Sequence, residues 1–130
     1  MGDRRALSVL VSRLGVWLDE HAPDTGRALF TVDAEAHTPG GVAKGFDALI
    51  AQARKNHQVP SQHFITDKLI ELDGDRAVVK ANLLVVFVHD DGPRVQGERY
   101  EIGAVRDKDG WRISRVQARP VWEGNYVASR

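Results

Sequence analysis

The sequence predicts an α+β domain in which helices come first and a strongly curved, mainly antiparallel sheet follows. Apolar residues recur at helical spacing in the first half of the chain and at strand spacing in the second half. Turns rich in aspartate and glycine separate the extended runs of the second half. With 130 residues, of which 42% are hydrophobic, the chain has the size and composition of one globular domain, residues 1–130.

Three helices are predicted in the first half of the chain. The first runs from about Ala6 to Glu20 because one of its faces is apolar; that face comprises Leu7, Leu10, Val11, Leu14, Trp17 and Leu18. Pro23 stops this helix, and Asp24 is suited to cap a short second helix that runs through Phe30. The third helix is predicted from about Phe46 to His57.

The predicted strands begin with Val32 to Thr38, where apolar and polar residues alternate up to a Pro-Gly-Gly turn. Four longer runs then form an antiparallel meander: about Ser61 to Leu72, Asp75 to His89, Arg94 to Arg106 and Trp111 to Ala118. The second of these would span roughly 50 Å if it were straight, so the sheet must curve. Gly97 and Gly103 stand where β-bulges can supply that curvature, or where close packing needs a glycine.

The strand that contains Ala77 to Val88 has apolar residues at both alternating positions, so both of its faces should be covered. Three short helices can cover only one face. We therefore expect a homodimer that forms through the other face of the sheet. A more tightly closed monomer is the alternative.

Charge and cysteine content exclude several classes of function. Eighteen basic and eighteen acidic residues give a formal charge of zero, so nucleic acid is not an expected partner. The absence of cysteine excludes disulfides, thiolate nucleophiles and cysteine-ligated metals. The longest apolar run, Leu83 to Val88, is far shorter than the roughly 20 residues of a membrane-spanning helix. We expect no membrane association and, because the start does not read as a signal peptide, a cytoplasmic location.

Four stretches of the chain carry a family resemblance. They are Trp17-Leu18-Asp19 with Leu29-Phe30 and Asp33-Ala34, Gly45 to Ile50, Ser61 to Thr66 with Asp73 to Ala77, and Gly97 to Tyr100 with Asp109 to Ile113. Their order resembles the SnoaL-like branch of the nuclear transport factor 2-like superfamily. The resemblance implies a cone-shaped fold with three N-terminal helices packed on the curved sheet. Within it, Gln62 to Ile65 is similar to the segment that bears the catalytic histidine of scytalone dehydratase.

Dehydratases and dehydrochlorinases of this type pair that histidine with an aspartate late in the first helix, and the matching residues here are His63 and Asp19. The resemblance implies a small-molecule lyase or isomerase in which His63 is the general base and Asp19 orients it. Independently, a histidine with a pKa of about 6.5 suits base catalysis, and a carboxylate near a helix C-terminus is unfavourable without a partner. The plain alternative is a solvated Asp19 and an ordinary strand histidine.

The predicted substrate pocket has apolar walls formed by Trp17, Leu18, Leu83, Val85 and Phe87. Two charged residues, Arg99 and Glu101, and a further aromatic residue, Trp122, complete it. If Phe87, Val85 and Leu83 face inward, strand alternation places Arg99 and Glu101 inside as well, although a bulge at Gly97 or Gly103 would reverse this. The alternative is that Arg99 and Glu101 form cross-strand ion pairs with neighbouring residues. Trp122 follows the last predicted strand, on a segment that resembles the family's flap over the cone mouth. Tyr100 is expected to pack in the core rather than to take part in the chemistry.

Two polar groups of scytalone dehydratase are missing, since Leu18 and Phe87 stand where that enzyme has a tyrosine and a second histidine. Scytalone is therefore not the expected substrate. The remaining histidines lack metal-ligand spacing, and no cofactor motif occurs, so neither a metal nor a cofactor is expected. Two functions stay open: a cofactor-independent lyase or isomerase that acts on an apolar cyclic or polyketide-like molecule, and a non-catalytic ligand-binding or assembly module.

Overall fold

The chain is described by a computed structural model over residues 2–20, 23–56 and 58–125, without the side chains of Pro23 and Asp24. Two α-helices, one short 3-10 helix and six strands follow in this order: α1 (Asp3–Glu20), the 3-10 helix (Pro23–Ala28), β1 (Phe30–Thr38), β2 (Gly41–Lys44), α2 (Phe46–Asn56), β3 (Ser61–Asp73), β4 (Arg76–His89), β5 (Gly92–Asp107) and β6 (Gly110–Asn125). The side chain of Asp24, the predicted cap, is not described, and His57, the predicted helix end, lies outside the described residues.

The prediction of a second α-helix is wrong, because Pro23–Ala28 is a 3-10 helix. It closes through a hydrogen bond from the Leu29 N–H to the Gly26 carbonyl, at 2.9 Å. The next backbone hydrogen bond connects this segment to the sheet, because the Ile113 N–H donates to the Leu29 carbonyl at 2.7 Å. A Cβ at Gly26 would lie 2.9 Å from the Trp17 indole, so only glycine fits beneath that ring.

The six strands form one mixed sheet in the order β2-β1-β6-β5-β4-β3. All neighbouring pairs are antiparallel except β1 and β6, which are parallel. The β5–β6 ladder shifts register between Gly97 and Glu98 and again between Gly103 and Ala104, beside both glycines that the sequence indicates as bulge positions. The sequence does not predict β2, which consists of only four residues.

Alternation along β4 separates the two faces of the sheet. Its inward residues are buried against the helices: Ala77, Val79, Ala81, Leu83 and Val85. Aromatic rings from α1, β1 and α2 close this core, with ring centroids of Trp17 and Phe30 5.1 Å apart and those of Phe30 and Phe46 6.1 Å apart. The core therefore lies between the helices and the inward face of the sheet.

The outer face of β4 is apolar and open in the single chain. Leu84 is 37% exposed and Val88 is 51% exposed. Beside them on β6, Val121 and Trp122 are also exposed. Apolar residues thus do occupy both faces of this strand, as the sequence predicts, and the helices of the same chain cover only one of them.

The expected flap over the cone mouth is wrong for residues 119–125, because they continue β6 along β5. Tyr126, which belongs to the same predicted segment, lies outside the described residues. Gly97 pairs with Trp122, and a Cβ at Gly97 would collide with the Trp122 indole. Pro120 pairs with Glu98 at the register shift, where the missing N–H of a proline is tolerated within a sheet.

Candidate active site

A cavity of about 710 Å³ opens between the helices and the concave face of the sheet. Five of the predicted pocket residues line it, namely Trp17, Leu18, Leu83, Val85 and Phe87. Phe30, Leu49 and Val116 add to the apolar wall from β1, α2 and β6. A cavity of this size and character suits a small organic molecule.

Polar side chains gather around the mouth of the cavity, at the ends of β1, α2 and β4 and at the start of β5. They are Thr38, Gln52, Lys55, Asn56, Gln58, His89, Arg94 and Gln96. A molecule bound in the cone would therefore have an apolar environment in its depth and a hydrogen-bonding one at its opening.

Asp19 and His63 meet at the wall of this cavity. The His63 Nδ1 lies 2.6 Å from Asp19 Oδ1, and the His63 backbone N–H donates to Asp19 Oδ2 at 2.8 Å. The Ser61 hydroxyl donates to Asp19 Oδ1 at 3.1 Å. The His63 side chain is only 3% exposed, whereas that of Asp19 is 23% exposed. One carboxylate thus accepts from three groups and fixes the orientation of a ring that lines the cavity.

The approach of α1 to β3 makes this pairing possible. Asp19 lies in the last turn of α1, and Gly15 stands one turn earlier on the same face of the helix. A Cβ at Gly15 would lie 3.2 Å from Ile65 Cδ1 and 3.7 Å from His63 Cβ. The glycine therefore lets the helix pack closely on the strand, which brings the carboxylate within reach of the histidine.

Chemically, an Nδ1–H that donates to a carboxylate leaves Nε2 of the same ring as a proton acceptor. The ring also contacts Phe87 edge-on, with centroids 6.4 Å apart. The imidazole is thus held between a fixed carboxylate and an apolar wall, an arrangement that suits a general base acting in a poorly hydrated site.

Glu98 and Tyr100 face the cavity from β5, although neither is among the pocket residues predicted from the sequence. Glu98 is 7% exposed and Tyr100 is 5% exposed. Burial raises the pKa of the Glu98 carboxyl above its ordinary value. Burial, together with the charges of Glu98 and Asp19, raises the pKa of the Tyr100 phenol, which stays protonated.

The predicted positions of Arg99 and Glu101 in the pocket are wrong. The β4–β5 hairpin pairs His89 with Gly92, so Leu83 stands opposite Glu98 and odd-numbered residues of β4 face even-numbered residues of β5. Arg99 and Glu101 consequently point to the outer face and do not line the cavity.

On the outer face, Arg99 forms a hydrogen bond rather than the cross-strand ion pair that was the alternative to a place in the pocket. Arg99 donates to the Asn82 side-chain oxygen, and Asn82 Nδ2 donates to Asp67 Oδ2 at 3.1 Å. Glu101 pairs in register with Lys80, whose ion pair is with Glu71 at 3.6 Å. The predicted placement of Trp122 in the pocket is also wrong: Trp122 packs on Gly97, which faces away from the cavity because its neighbours Gln96 and Glu98 line it.

Residues 2–20, 23–56 and 58–125 contain no group of three or more histidine, cysteine, aspartate or glutamate side chains placed to hold a metal ion. Two further histidines of the sequence, His21 and His57, lie outside the described residues. Among the described helices, none is both long enough and apolar enough to span a membrane.

Comparison with known proteins agrees with this architecture. A family model described as a SnoaL-like domain matches residues 1–117 of the chain. No curated protein matches the sequence.

Solved structures share the fold over nearly the whole chain. A nuclear transport factor 2-like superfamily protein from Salmonella enterica superposes with a TM-score of 0.83 at 18% identity, covering 91% of this chain and 90% of that one. A provisionally assigned scytalone dehydratase from Novosphingobium aromaticivorans gives 0.84 at 20% identity, with coverages of 97% and 89%. A type 2 hexachlorocyclohexane dehydrochlorinase gives 0.87 at 17% identity, with coverages of 97% and 90%. The predicted α+β cone fold is confirmed, with two α-helices rather than three.

Proposed function

Since the chain belongs to the SnoaL-like domain family, we propose that it is a small-molecule lyase or isomerase that works by proton abstraction. His63 acts as the general base, and Asp19 orients its ring and stabilises the imidazolium that forms. The observation that carries the proposal is the 2.6 Å contact between His63 Nδ1 and Asp19 Oδ1 at the wall of a cavity of substrate size.

The chemistry follows from this contact. Nε2 of His63 removes a proton from a carbon of the substrate, and the positive charge that develops on the ring is met by the Asp19 carboxylate. Apolar walls that include Leu83, Val85 and Phe87 strengthen this interaction because they exclude water from the site. The substrate class that fits is an apolar cyclic or polyketide-like molecule.

Two of the similar structures are named as a dehydrochlorinase and a scytalone dehydratase, and both names denote eliminations. Under our proposal this chain shares proton abstraction with such enzymes and differs in substrate. The apolar Leu18 and Phe87 at the cavity wall support that difference. The reaction takes place without a cofactor in this proposal.

A second function is a non-catalytic ligand-binding or assembly module. It is favoured by the same two residues, Leu18 and Phe87, which leave the site without the polar groups that scytalone dehydratase has there. This function predicts that ligands bind in the cavity without being converted.

The experiment that separates these functions combines histidine titration with a substrate panel. Ring NMR signals are followed with pH in the wild type, with His63→Ala to assign the His63 signal and Asp19→Asn to test coupling. A β-hydroxy ketone, an enolisable cyclic enone and a chlorinated cyclohexane are then offered as substrates. Turnover that depends on both residues supports the lyase or isomerase. A His63 ring that ignores Asp19→Asn, together with no turnover, rejects it.

We further propose that the protein is a cytoplasmic homodimer that joins through the outer face of the sheet. The exposed Leu84, Val88 and Trp122 support this because an open apolar face of a sheet favours association. Sedimentation velocity tests the proposal with Leu84→Glu, which should yield monomers. Val16→Glu is the matched control, because Val16 on α1 is 53% exposed; this variant should leave the dimer intact. A wild type that sediments as a monomer overturns the proposal.

A further inference from the structure

We propose that Glu98 is the proton donor of this site and that the substrate therefore carries an oxygen, as a hydroxyl leaving group or an enolisable carbonyl. The inference rests on the proposed function, because it assigns the acid that complements the His63 base. It narrows the substrate from any apolar molecule with an acidic C–H bond to an oxygenated one.

The register of the sheet places Glu98 two strands away from His63 on the same concave face. His63 stands opposite Val85 on β4, whereas Glu98 on β5 stands opposite Leu83. In a flat sheet their Cα atoms would be about 12 Å apart, given strands about 4.8 Å apart and a rise of about 3.4 Å per residue. Both side chains line the concave face, and curvature brings them closer together.

The surroundings of Glu98 favour its neutral form. It is 93% buried, and among the residues that the structure describes it has no hydrogen-bond or ion-pair partner. A buried carboxylate without a partner is strongly disfavoured, so the group holds its proton and presents an O–H donor to the cavity. The direction of its pKa, raised by burial, agrees with this reading.

Several ionisable groups share the cavity with Glu98. They are Lys55 from α2, His63 from β3, His89 from β4, and Arg94 and Tyr100 from β5. Asp19 of α1 does not line the cavity itself and is linked to it through His63. Asp19 is already bound to His63, and Arg94 forms an ion pair with Asp91 at 3.5 Å. Tyr100, whose pKa is raised by burial and by the carboxyl groups of Glu98 and Asp19, lies within the electrostatic range of both.

The step balances as a dehydration. Nε2 of His63 takes the proton from the carbon next to the one that bears the hydroxyl, and that C–H pair becomes the new C=C bond. The C–O bond breaks, and its pair leaves on the oxygen, which takes the Glu98 proton and departs as water. His63 is left as imidazolium and Glu98 as carboxylate. Transfer of the imidazolium proton to that carboxylate through solvent restores both groups.

A carbonyl substrate uses the same pair of residues without a leaving group. Glu98 donates to the carbonyl oxygen while His63 removes the α-proton, and the product is an enol. A chloride leaving group differs, because it departs as an anion that needs no proton. Glu98 therefore favours oxygenated substrates over halides.

Two measurements test the proposal. Carboxyl ¹³C NMR of glutamate-labelled protein, with Glu98→Gln to assign the signal, reports whether Glu98 keeps its proton at neutral pH, relative to the urea-unfolded chain. Rates are then measured for hydrogen–deuterium exchange at the α-carbon of a cyclic ketone and for dehydration of a β-hydroxy ketone. We expect Glu98→Gln to lower both rates by roughly 10²- to 10⁴-fold and to remove the alkaline limb of the pH profile.

Glu101→Gln is the matched control, since Glu101 stands three positions along the same strand and faces outward; it should leave both rates unchanged. Circular dichroism verifies that each variant is folded. A Glu98 that ionises as in the unfolded chain, or a Glu98→Gln variant as fast as the wild type, overturns the proposal while His63-dependent turnover still supports the lyase. A wild type that converts no substrate, ketone exchange included, rejects the lyase and the acid role together.

Discussion

The Asp19 carboxylate binds His63 twice, through the ring Nδ1 at 2.6 Å and through the backbone N–H at 2.8 Å. One side chain of α1 therefore fixes both the position of the strand and the orientation of the ring that it carries. A histidine held only through its ring could still shift with its strand. Here the backbone contact removes that freedom, and pre-orientation of this kind lowers the barrier to proton transfer.

Replacement of Asp19 tests this arrangement. Asp19→Asn keeps the size of the side chain but removes the charge that stabilises an imidazolium, so we expect turnover to fall by roughly 10²- to 10⁴-fold. The His63 ring should also titrate at lower pH than in the wild type. Steady-state rates on the best substrate and ring NMR measure the two effects. Glu20→Gln, at the next position and exposed, is the control and should change neither.

The Ser61 hydroxyl contributes one of the three bonds to Asp19, at 3.1 Å. Ser61→Ala should lower the free energy of unfolding by about 0.5–1.5 kcal/mol, the usual contribution of one hydrogen bond. Urea unfolding followed by tryptophan fluorescence measures it. Gln62→Ala, at the exposed neighbouring position, should leave stability nearly unchanged. Equal losses in the two variants would show that the strand end, rather than the bond, is being measured.

Stability should depend on pH through Glu98, whose pKa burial raises. Above about pH 4 the unfolded chain releases this proton while the folded chain retains it, so the free energy of unfolding falls as pH rises toward the folded-state pKa. The Glu98→Gln variant has no ionisable group at this position, so its free energy of unfolding does not fall with pH for this reason. Relative to the wild type, the variant should therefore gain stability as the pH rises from about 4 to the folded-state pKa of Glu98, as measured by urea unfolding at each pH. The outward Glu101→Gln should give no such pH-dependent gain.

Gly97 is required beneath Trp122, because a Cβ there would collide with the indole. Gly97→Ala should lower the free energy of unfolding by about 1–3 kcal/mol through overpacking. In the Trp122→Ala background the same change should cost much less, because the colliding ring is gone. Thermal unfolding of the wild type, the two single variants and the double variant gives the double-mutant cycle that measures this difference. Additive losses would mean that the glycine serves its own backbone rather than the ring.

The helix and strand pattern could be read from the sequence because it depends on local periodicity. The α1 stripe that includes Leu14 and Trp17 and the alternation along β4 both follow from where apolar residues must lie. The short segment at Pro23–Ala28 was harder to predict, since the choice between an α-helix and a 3-10 helix depends on the sheet bonds at Leu29. β2 is too short to produce any periodic signal.

Asp19 and His63 of the candidate site could be predicted from the sequence, whereas Glu98 could not. Asp19 and His63 stand out because their residue types and positions resemble a known pairing. Glu98 was missed because its face depends on the length of the β4–β5 turn. Two residues, Asp90 and Asp91, connect the paired His89 and Gly92, which places odd residues opposite even ones. A turn one residue longer would have placed Arg99 in the cavity. The length of the turn, and not the residue pattern of the strand, therefore decides which β5 side chains face the cavity.

The position of β3 at the edge of the sheet separates two tasks within the fold. His63 and Asp19 belong to β3 and α1, whereas the interior strands β4, β5, β6 and β1 supply half of the residues that line the cavity. Polar lining residues of the interior strands that contact neither Asp19 nor His63, such as His89, Arg94 and Gln96, can therefore be exchanged without disturbing the bonds between Asp19 and His63. A library randomised at those three positions would change ligand recognition while the Asp19–His63 pair is retained.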